Sequence, residues 1–183
     1  VPLYDSVVTD NQGGAYQLVK RLIARGHQRI AYASSAAVDF PSFQERRDGY
    51  LQALSEHGLD PIWFNLSGDS RQTRDELVAF QRAVPNVSAI FGCNDVTALN
   101  VLRAAKSLGC HVPQDFALAG FDDVEEARTI TPGLTTMAVD KVSMGWNAVM
   151  LLLNRAENPA GARVTLVLHT SLVERESVAA FVG

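Results

Sequence analysis

Two pairs of polar residues each follow a short apolar run, Asn94-Asp95 after AIFGC and Asp122-Asp123 after FALAGF. One member of each pair could cap the following helix, because Asn and Asp are preferred at helix N-caps. One cap per helix is sufficient, so the other member is free to face a ligand. An amide beside a carboxylate can donate to and accept from hydroxyl groups. The pairs therefore predict a binding site for a small polar molecule.

Two arginines, Arg46 and Arg47, lie in the first turns of a predicted helix and could complete such a site. An arginine at a strand-to-helix junction can donate in parallel to a pair of ligand oxygens. The alternative is local ion pairing with a neighbouring acid, namely Asp39, Glu45 or Asp48. Periodicity does not decide which arginine has which role.

The elements that must position these residues are strand-like and helix-like segments, which alternate along the whole chain. Apolar runs such as RIAYASS, IWFNL and FALAGF are separated by segments with apolar residues at helical spacing. Continuous apolar strands between amphipathic helices favour an α/β fold, an open parallel sheet with helices on both faces. In such a sheet, ligands bind beyond the carboxyl ends of the strands, where both polar pairs fall.

The sequence also marks helix ends. Asp10-Asn11 is a possible N-cap, and Gly26 is placed as the stop of the same helix. Ser42 and Glu45 have the spacing of a capping box for the helix that carries the arginines.

Composition limits the classes of function. The 183 residues are 47% hydrophobic and 20% charged with a net charge of −4, which fits a globular protein and argues against a nucleic-acid surface. No apolar run approaches the roughly 20 residues that a membrane span needs. Cys93 and Cys110 lack metal-type spacing and are interpreted as small apolar side chains. We expect no cofactor, no metal and no catalytic residue.

Seven motifs in register resemble the effector-binding domain of the LacI/GalR family of transcriptional regulators, over nearly the whole chain. They are TDNQGGA, LIARGHQRIAY, RRDGYLQAL, AIFGCNDVTAL, VPQDFALAGFDD, PGLTTMAVDKVSMG and SLVERES. The resemblance implies a periplasmic-binding-protein-like type I fold, in which two α/β lobes joined by three crossovers hold a small molecule between them. It also implies a cytoplasmic regulator.

The resemblance assigns ligand-binding roles to Arg46, Asn94 and Asp122, and makes the second residue of each polar pair a cap or a support. Some sugar-responsive members have aromatic residues where this chain has Ser70 and Lys141. These two positions are further candidate ligand contacts. Lys141 would favour an acidic or phosphorylated effector, although a solvated residue at a helix start is the alternative.

The resemblance also implies a division into lobes. Residues 1–27 would be part of a first lobe, 28–138 an essentially complete second lobe, 139–160 a return to the first lobe, and 161–183 the C-terminal strands of the second. The family's DNA-binding head is absent from this sequence, so operator DNA would be contacted only through residues outside it.

One predicted helix, VTALNVLRAAKSLG, is apolar on more than one side, which suggests a second partner. Together with the resemblance, this predicts a homodimer with Leu99, Leu102 and Ile130 at its interface. The alternative is that neighbouring helices of the same lobe cover the surplus apolar surface.

Two other functions compete with a sugar-responsive regulator. A periplasmic sugar-binding protein of an ABC transporter shares the fold, but the motifs resemble regulators more closely. An enzyme is disfavoured because the chain lacks a G-x-G-x-x-G after a strand, a P-loop and a G-x-S-x-G elbow.

Overall fold

The computed structural model describes residues 4–35 and 40–181, in which strands and helices alternate. In chain order, the elements are β1 (Ser6–Thr9), α1 (Asn11–Ala24), β2 (Ile30–Ser35), α2 (Pro41–Glu56), β3 (Ile62–Leu66), α3 (Thr73–Ala83), β4 (Ala89–Gly92), α4 (Asp95–Ser107), β5 (Ala117–Asp122), α5 (Glu125–Thr129), β6 (Thr135–Ala138), α6 (Lys141–Glu157), β7 (Thr165–Leu168) and β8 (Ser171–Val173).

Six of the strands form one sheet in the order β3-β2-β4-β5-β6-β8. All neighbours pair in parallel except β6 and β8, which are antiparallel. The central strands β4 and β5 are almost wholly buried, as expected for strands covered on both faces. The predicted open, mainly parallel α/β sheet is therefore confirmed. The carboxyl ends of β2, β4 and β5 lie at one edge of this sheet.

Two apolar clusters cover the two faces of the sheet. One contains Leu18 and Leu22 of α1 with Tyr50 and Leu54 of α2. The other contains the buried residues of α3 and α4. Consecutive residues of β2 alternate between the clusters, because successive side chains of a strand point to opposite faces.

The apolar surplus of α4 is covered by the chain's own core. Leu99 is 2% exposed and Leu102 is fully buried, and both lie in the cluster with the apolar residues of α3. Neither offers surface to a second copy, so their assignment to a dimer interface is corrected to a core role. Ile130 is partly buried against the same cluster. On α4 it is Val96 that is exposed, by 58%.

The remaining strands form a second, two-stranded sheet in which β1 and β7 pair in parallel. The sequence assigned residues 161–183 to the second lobe, but β7 joins β1, and only β8 joins the six-stranded sheet. The sequence assigned residues 1–27 to the first lobe; of these, α1 packs on α2 against the larger sheet.

The helix α6 lies beside β1, where the Arg155 guanidinium donates to both carboxylate oxygens of Asp5, each at 2.8 Å. None of the α6 residues is buried, and the large apolar side chains Val142, Trp146, Leu152 and Leu153 are each more than half exposed. Within the described residues, no helix has the length and apolarity that crossing a membrane requires.

Helix ends agree with the sequence at α1 and differ at α2. Asp10 caps α1 by accepting a hydrogen bond from the Gly13 N–H, and Gly26 ends the turn after it with φ +93°. The predicted capping box of α2 is wrong, because this helix begins at Pro41 and has no side-chain cap. Glu45 instead accepts a hydrogen bond from Asn11 at 2.8 Å.

Candidate functional site

Arg46 lies at the carboxyl edge of the large sheet, on the second turn of α2, and is only 6% exposed. Its guanidinium donates to Asn11 Oδ1 at 3.0 Å, to the Cys93 carbonyl at 2.8 Å and to Asp122 Oδ1 at 2.8 Å. The guanidinium carbon stands 3.8 Å from the centre of the Phe121 ring, within cation–π range. These contacts join α1, α2, β4 and β5 and hold the arginine in one orientation.

The turn after β5 has unusual backbone geometry. Asp122 and Asp123 have positive φ angles of 113° and 49°, which residues other than glycine rarely adopt. Burial raises the pKa of Asp122, and the positive charges of Arg46 and Lys141 offset this only in part. Burial also raises the pKa of Asp123, but its hydrogen bonds to Arg175 and Arg128 outweigh burial and leave the pKa lowered.

Asn94 lies between β4 and α4, directly after the Cys93 carbonyl that Arg46 binds. Its Oδ1 caps α4 by accepting the Thr97 N–H at 2.9 Å. Its Nδ2 donates no hydrogen bond to any described residue and so is available to a ligand. Asp95, the expected cap or support, is fully buried and does not cap the helix, since Asn94 does.

Lys141 and Ser70 differ in their relation to this group. The Lys141 ammonium donates to the main-chain carbonyl of Asp122, so this first residue of α6 reaches the end of β5. Ser70 is exposed in the turn after the edge strand β3, three strands away from β5. The structure therefore brings Arg46, Asp122 and Lys141 together, with Asn94 beside them, and leaves Ser70 apart. Their roles toward a ligand remain predictions.

Local ion pairing is not what occupies Arg46. Its carboxylate partner, Asp122, lies 76 positions away in sequence, and Glu45 is bonded to Asn11. Asp39 lies outside the described residues. Asn11 was missed by the sequence analysis as a site residue, although it is 7% exposed and bonded to both Arg46 and Glu45.

The sequence analysis also did not single out two aromatic residues on the Arg46 face of α2. Phe40, at the start of α2, is 57% exposed, and its ring meets that of Phe43 edge to face at 5.6 Å. The Arg46 guanidinium carbon is in turn 5.7 Å from the Phe43 ring centre. The signal was the spacing of the three residues, since residues three apart share one face of a helix. Phe40 and Phe43 therefore lie on the same face of α2 as Arg46.

Two cavities flank these elements. One of about 500 Å³ opens beside Asp123 and is lined by Arg128, Asp140, Lys141 and His169 among others, so it carries charges of both signs. Another of about 400 Å³ lies between β1 and α6, is mainly apolar and contains none of the predicted site residues. The first cavity shares Lys141 with the candidate site but is not lined by Arg46, Asn94 or Asp122, so we define the candidate site by the hydrogen-bonded group around Arg46.

Metal binding finds no support in the residues that the structure describes. No cluster of three or more His, Cys, Asp or Glu side chains there could hold a metal ion. The site is built from an arginine, carboxylates, an amide and aromatic rings, which are groups that recognise polar organic molecules.

Comparison with known proteins agrees with this fold. Residues 19–178 match the model of the periplasmic binding protein-like domain. The HTH-type transcriptional repressor PurR of Mannheimia succiniciproducens is 31% identical over 97% of this chain and 54% of its own length. The ribose operon repressor of Haemophilus influenzae is 33% identical over 95% of this chain and 53% of its own length.

A solved structure, the complex of the transcriptional regulator CelR with cellobiose, superposes with a TM-score of 0.84. The two chains are 31% identical, and the superposition covers 97% of this chain and 56% of the CelR chain. The fold is thus that of a periplasmic-binding-protein-like domain. The chain belongs to the LacI/GalR family, since a LacI-family transcriptional regulatory protein of Corynebacterium glutamicum is 33% identical over 97% of this chain and 69% of that chain, with a TM-score of 0.82. It spans about half the length of the curated relatives it matches.

Proposed function

We propose that this chain is the effector-binding domain of a LacI-type DNA-binding transcriptional regulator. Its effector is a small polar molecule, a sugar or a sugar-like metabolite. The observation that carries the proposal is the Arg46–Asp122 ion pair, 2.8 Å long, at the carboxyl edge of the sheet beside Asn94. Relatives named as repressors and a neighbour solved with cellobiose support it.

The groups at this edge suit hydroxyl recognition. Asp122 Oδ2 accepts no hydrogen bond from the described residues, so it can accept from a sugar hydroxyl while Oδ1 holds Arg46. The Asn94 Nδ2 group can donate to a neighbouring ligand oxygen. Phe40 and Phe43 offer ring surface to the C–H face of a sugar. Lys141 provides the cation that an acidic or phosphorylated effector would need.

In this proposal, α1 to β6 with β8 form one lobe, and β1, β7 and α6 belong to the other. An effector regulates only if it binds two arrangements of the lobes with different affinity. Operator DNA is contacted by residues outside this chain, which carries a net charge of −4. The regulator acts in the cytoplasm.

We also propose that the regulator is a homodimer, with Ile130 as the remaining predicted interface residue. Val96 joins it, because this side chain is the exposed apolar residue of α4. Ile130→Glu and Val96→Glu should each shift the protein toward monomer in sedimentation analysis. A protein that stays fully dimeric with both changes would exclude this surface.

The alternative, a periplasmic sugar-binding protein of an ABC transporter, shares the fold. The relatives described above are transcriptional regulators by name, which favours regulation. The sequence of the complete gene product distinguishes the two. A helix-turn-helix before this domain supports the regulator, and a signal peptide supports the transporter.

The effector is tested by calorimetry on the complete gene product with ribose, ribose 5-phosphate and cellobiose. Asp122→Ala should weaken binding by roughly 1–3 kcal/mol, because the ligand hydroxyls lose a charged acceptor. Lys106→Ala, at the exposed end of α4, is the matched control and should leave affinity unchanged. Lys141→Ala should weaken only a phosphorylated ligand. Equal affinity of the Asp122→Ala and wild-type proteins would refute the proposed site.

A further inference from the structure

The turn that presents Asp122 needs support from its surroundings. Two consecutive residues other than glycine, Asp122 and Asp123, have φ angles of 113° and 49°. Such conformations cost on the order of 1–3 kcal/mol each and persist only where neighbouring groups fix them. The contacts on either side of Asp122 therefore decide where its carboxylate points.

One set of contacts fixes Asp123. Its carboxylate accepts hydrogen bonds from Arg175 at 2.6 Å and from Arg128 at 2.9 Å. These bonds anchor Asp123 to the segment that follows β8 and to α5. They leave the next peptide group, that of Val124, to be held by something else.

The Val124 N–H is held by a buried carboxylate. It donates to Asp95 Oδ2 at 2.9 Å, while the other oxygen of Asp95 accepts the Thr136 hydroxyl at 2.6 Å. Asp95 is the first residue of α4 and is fully buried. Its side chain thus connects α4, β6 and the turn after β5.

We propose that Asp95 is a positioning residue of the effector site: it holds the strained turn that directs the Asp122 carboxylate toward Arg46. It touches no ligand, since none of its surface is exposed. The expected effect on effector affinity rests on the proposed function. The positioning of Asp122 rests only on the Arg46–Asp122 contact.

Two further observations agree with this role. Gly120 on β5 passes so close that any side chain there would collide with Asp95 Oδ1, so the strand leaves space for the carboxylate. Burial raises the pKa of Asp95 to about 6, although its hydrogen bonds to Thr136 and Val124 oppose the shift. Removing this buried carboxylate would leave the Val124 N–H and the Thr136 hydroxyl without their hydrogen-bond partner.

The test is a double-mutant cycle that measures the coupling between Arg46 and Asp122 in unfolding experiments. The cycle, built from Arg46→Met and Asp122→Ala, is run in the wild-type chain and with Asp95→Ala. We expect the coupling constant to fall about tenfold in the Asp95→Ala background, because the turn no longer aims Asp122. General loss of stability cancels in the cycle, so a merely structural role would leave the coupling unchanged and overturn the inference.

Conservative and matched variants complete the design. Asp95→Asn can accept the Val124 N–H and donate to the Thr136 hydroxyl, and should restore the coupling. Ser107→Ala, at the far end of α4, should not alter it. Where Asp95→Ala does not fold, Thr136→Val removes one of the two bonds in an isosteric side chain and should lower the coupling about threefold. Unchanged coupling in Thr136→Val would then reject the role.

The second measurement is affinity of the complete gene product for ribose and cellobiose. Asp95→Ala should weaken binding of whichever sugar the wild type binds, about tenfold, and Asp95→Asn by less than about threefold. Binding of neither sugar by the wild type would count against the proposed function, while the coupling cycle would still decide the role of Asp95. Normal affinity with Asp95→Ala would overturn the inference.

Discussion

Leu102→Ala should destabilise the chain strongly, because Leu102 is a core residue. Its side chain is fully buried in the cluster beneath α3 and α4. Removing three carbon groups forfeits about 2 kcal/mol of transfer free energy at roughly 0.8 kcal/mol per group. The cavity left in a rigid core adds to this, so the free energy of unfolding should fall by about 3–5 kcal/mol.

The assay is urea denaturation followed by circular dichroism, with sedimentation on the same samples. Lys106→Ala is the matched control on the same helix: its side chain is exposed, and the change should cost less than about 0.5 kcal/mol. Leu102→Glu should unfold the chain rather than separate subunits. A Leu102→Ala protein that loses less than about 1 kcal/mol of stability and changes its association state would refute the reasoning.

Three other outcomes follow from particular residues. The pKa of Asp95 is raised to about 6, so its ionisation opposes folding. As pH rises from about 4 through 6, the wild type should lose up to roughly 3 kcal/mol of unfolding free energy relative to Asp95→Asn. If urea denaturation gives the same pH dependence of the unfolding free energy for both proteins, this expectation is contradicted. Gly49→Ala should lower the melting temperature, because the new methyl group would collide with the backbone of α1. Gly145→Ala, in open space on α6, should raise the melting temperature slightly. The opposite order of melting temperatures would disprove the close approach of α2 to α1 at Gly49. In the 183-residue chain, Trp63→Phe leaves Trp146, which is 68% exposed, as the sole tryptophan. Acrylamide should readily quench its fluorescence. Fluorescence that resists quenching would show that α6 is covered.

The sequence predicted the alternation of strands and helices and the sheet edge at which the polar pairs lie. Apolar strand runs and helical spacing are local signals, so they are visible without the fold. The cap at Asp10 and the stop at Gly26 are equally local, and both are confirmed. The polar pairs after β4 and β5 fall at one sheet edge because parallel strands present their carboxyl ends together.

Only the tertiary structure showed which residue of a polar pair caps the helix and which has another role. Either Asn94 or Asp95 could cap α4 by residue type, and the buried Thr136 hydroxyl of β6 is what makes Asp95 the internal support. The capping box at Ser42 failed because α2 already begins at Pro41, and the Glu45 carboxylate accepts instead from Asn11 of another helix. In both cases a partner distant in sequence competes with a local hydrogen bond.

By itself, then, the sequence determined the α/β class, the family and the sheet edge that carries Arg46, Asn94 and Asp122. Only the tertiary structure decided that the surplus apolar face of α4 is interior and that β7 pairs with β1. The physical reason is that periodicity shows which side chains share a face, whereas burial and strand pairing depend on which distant segment covers that face.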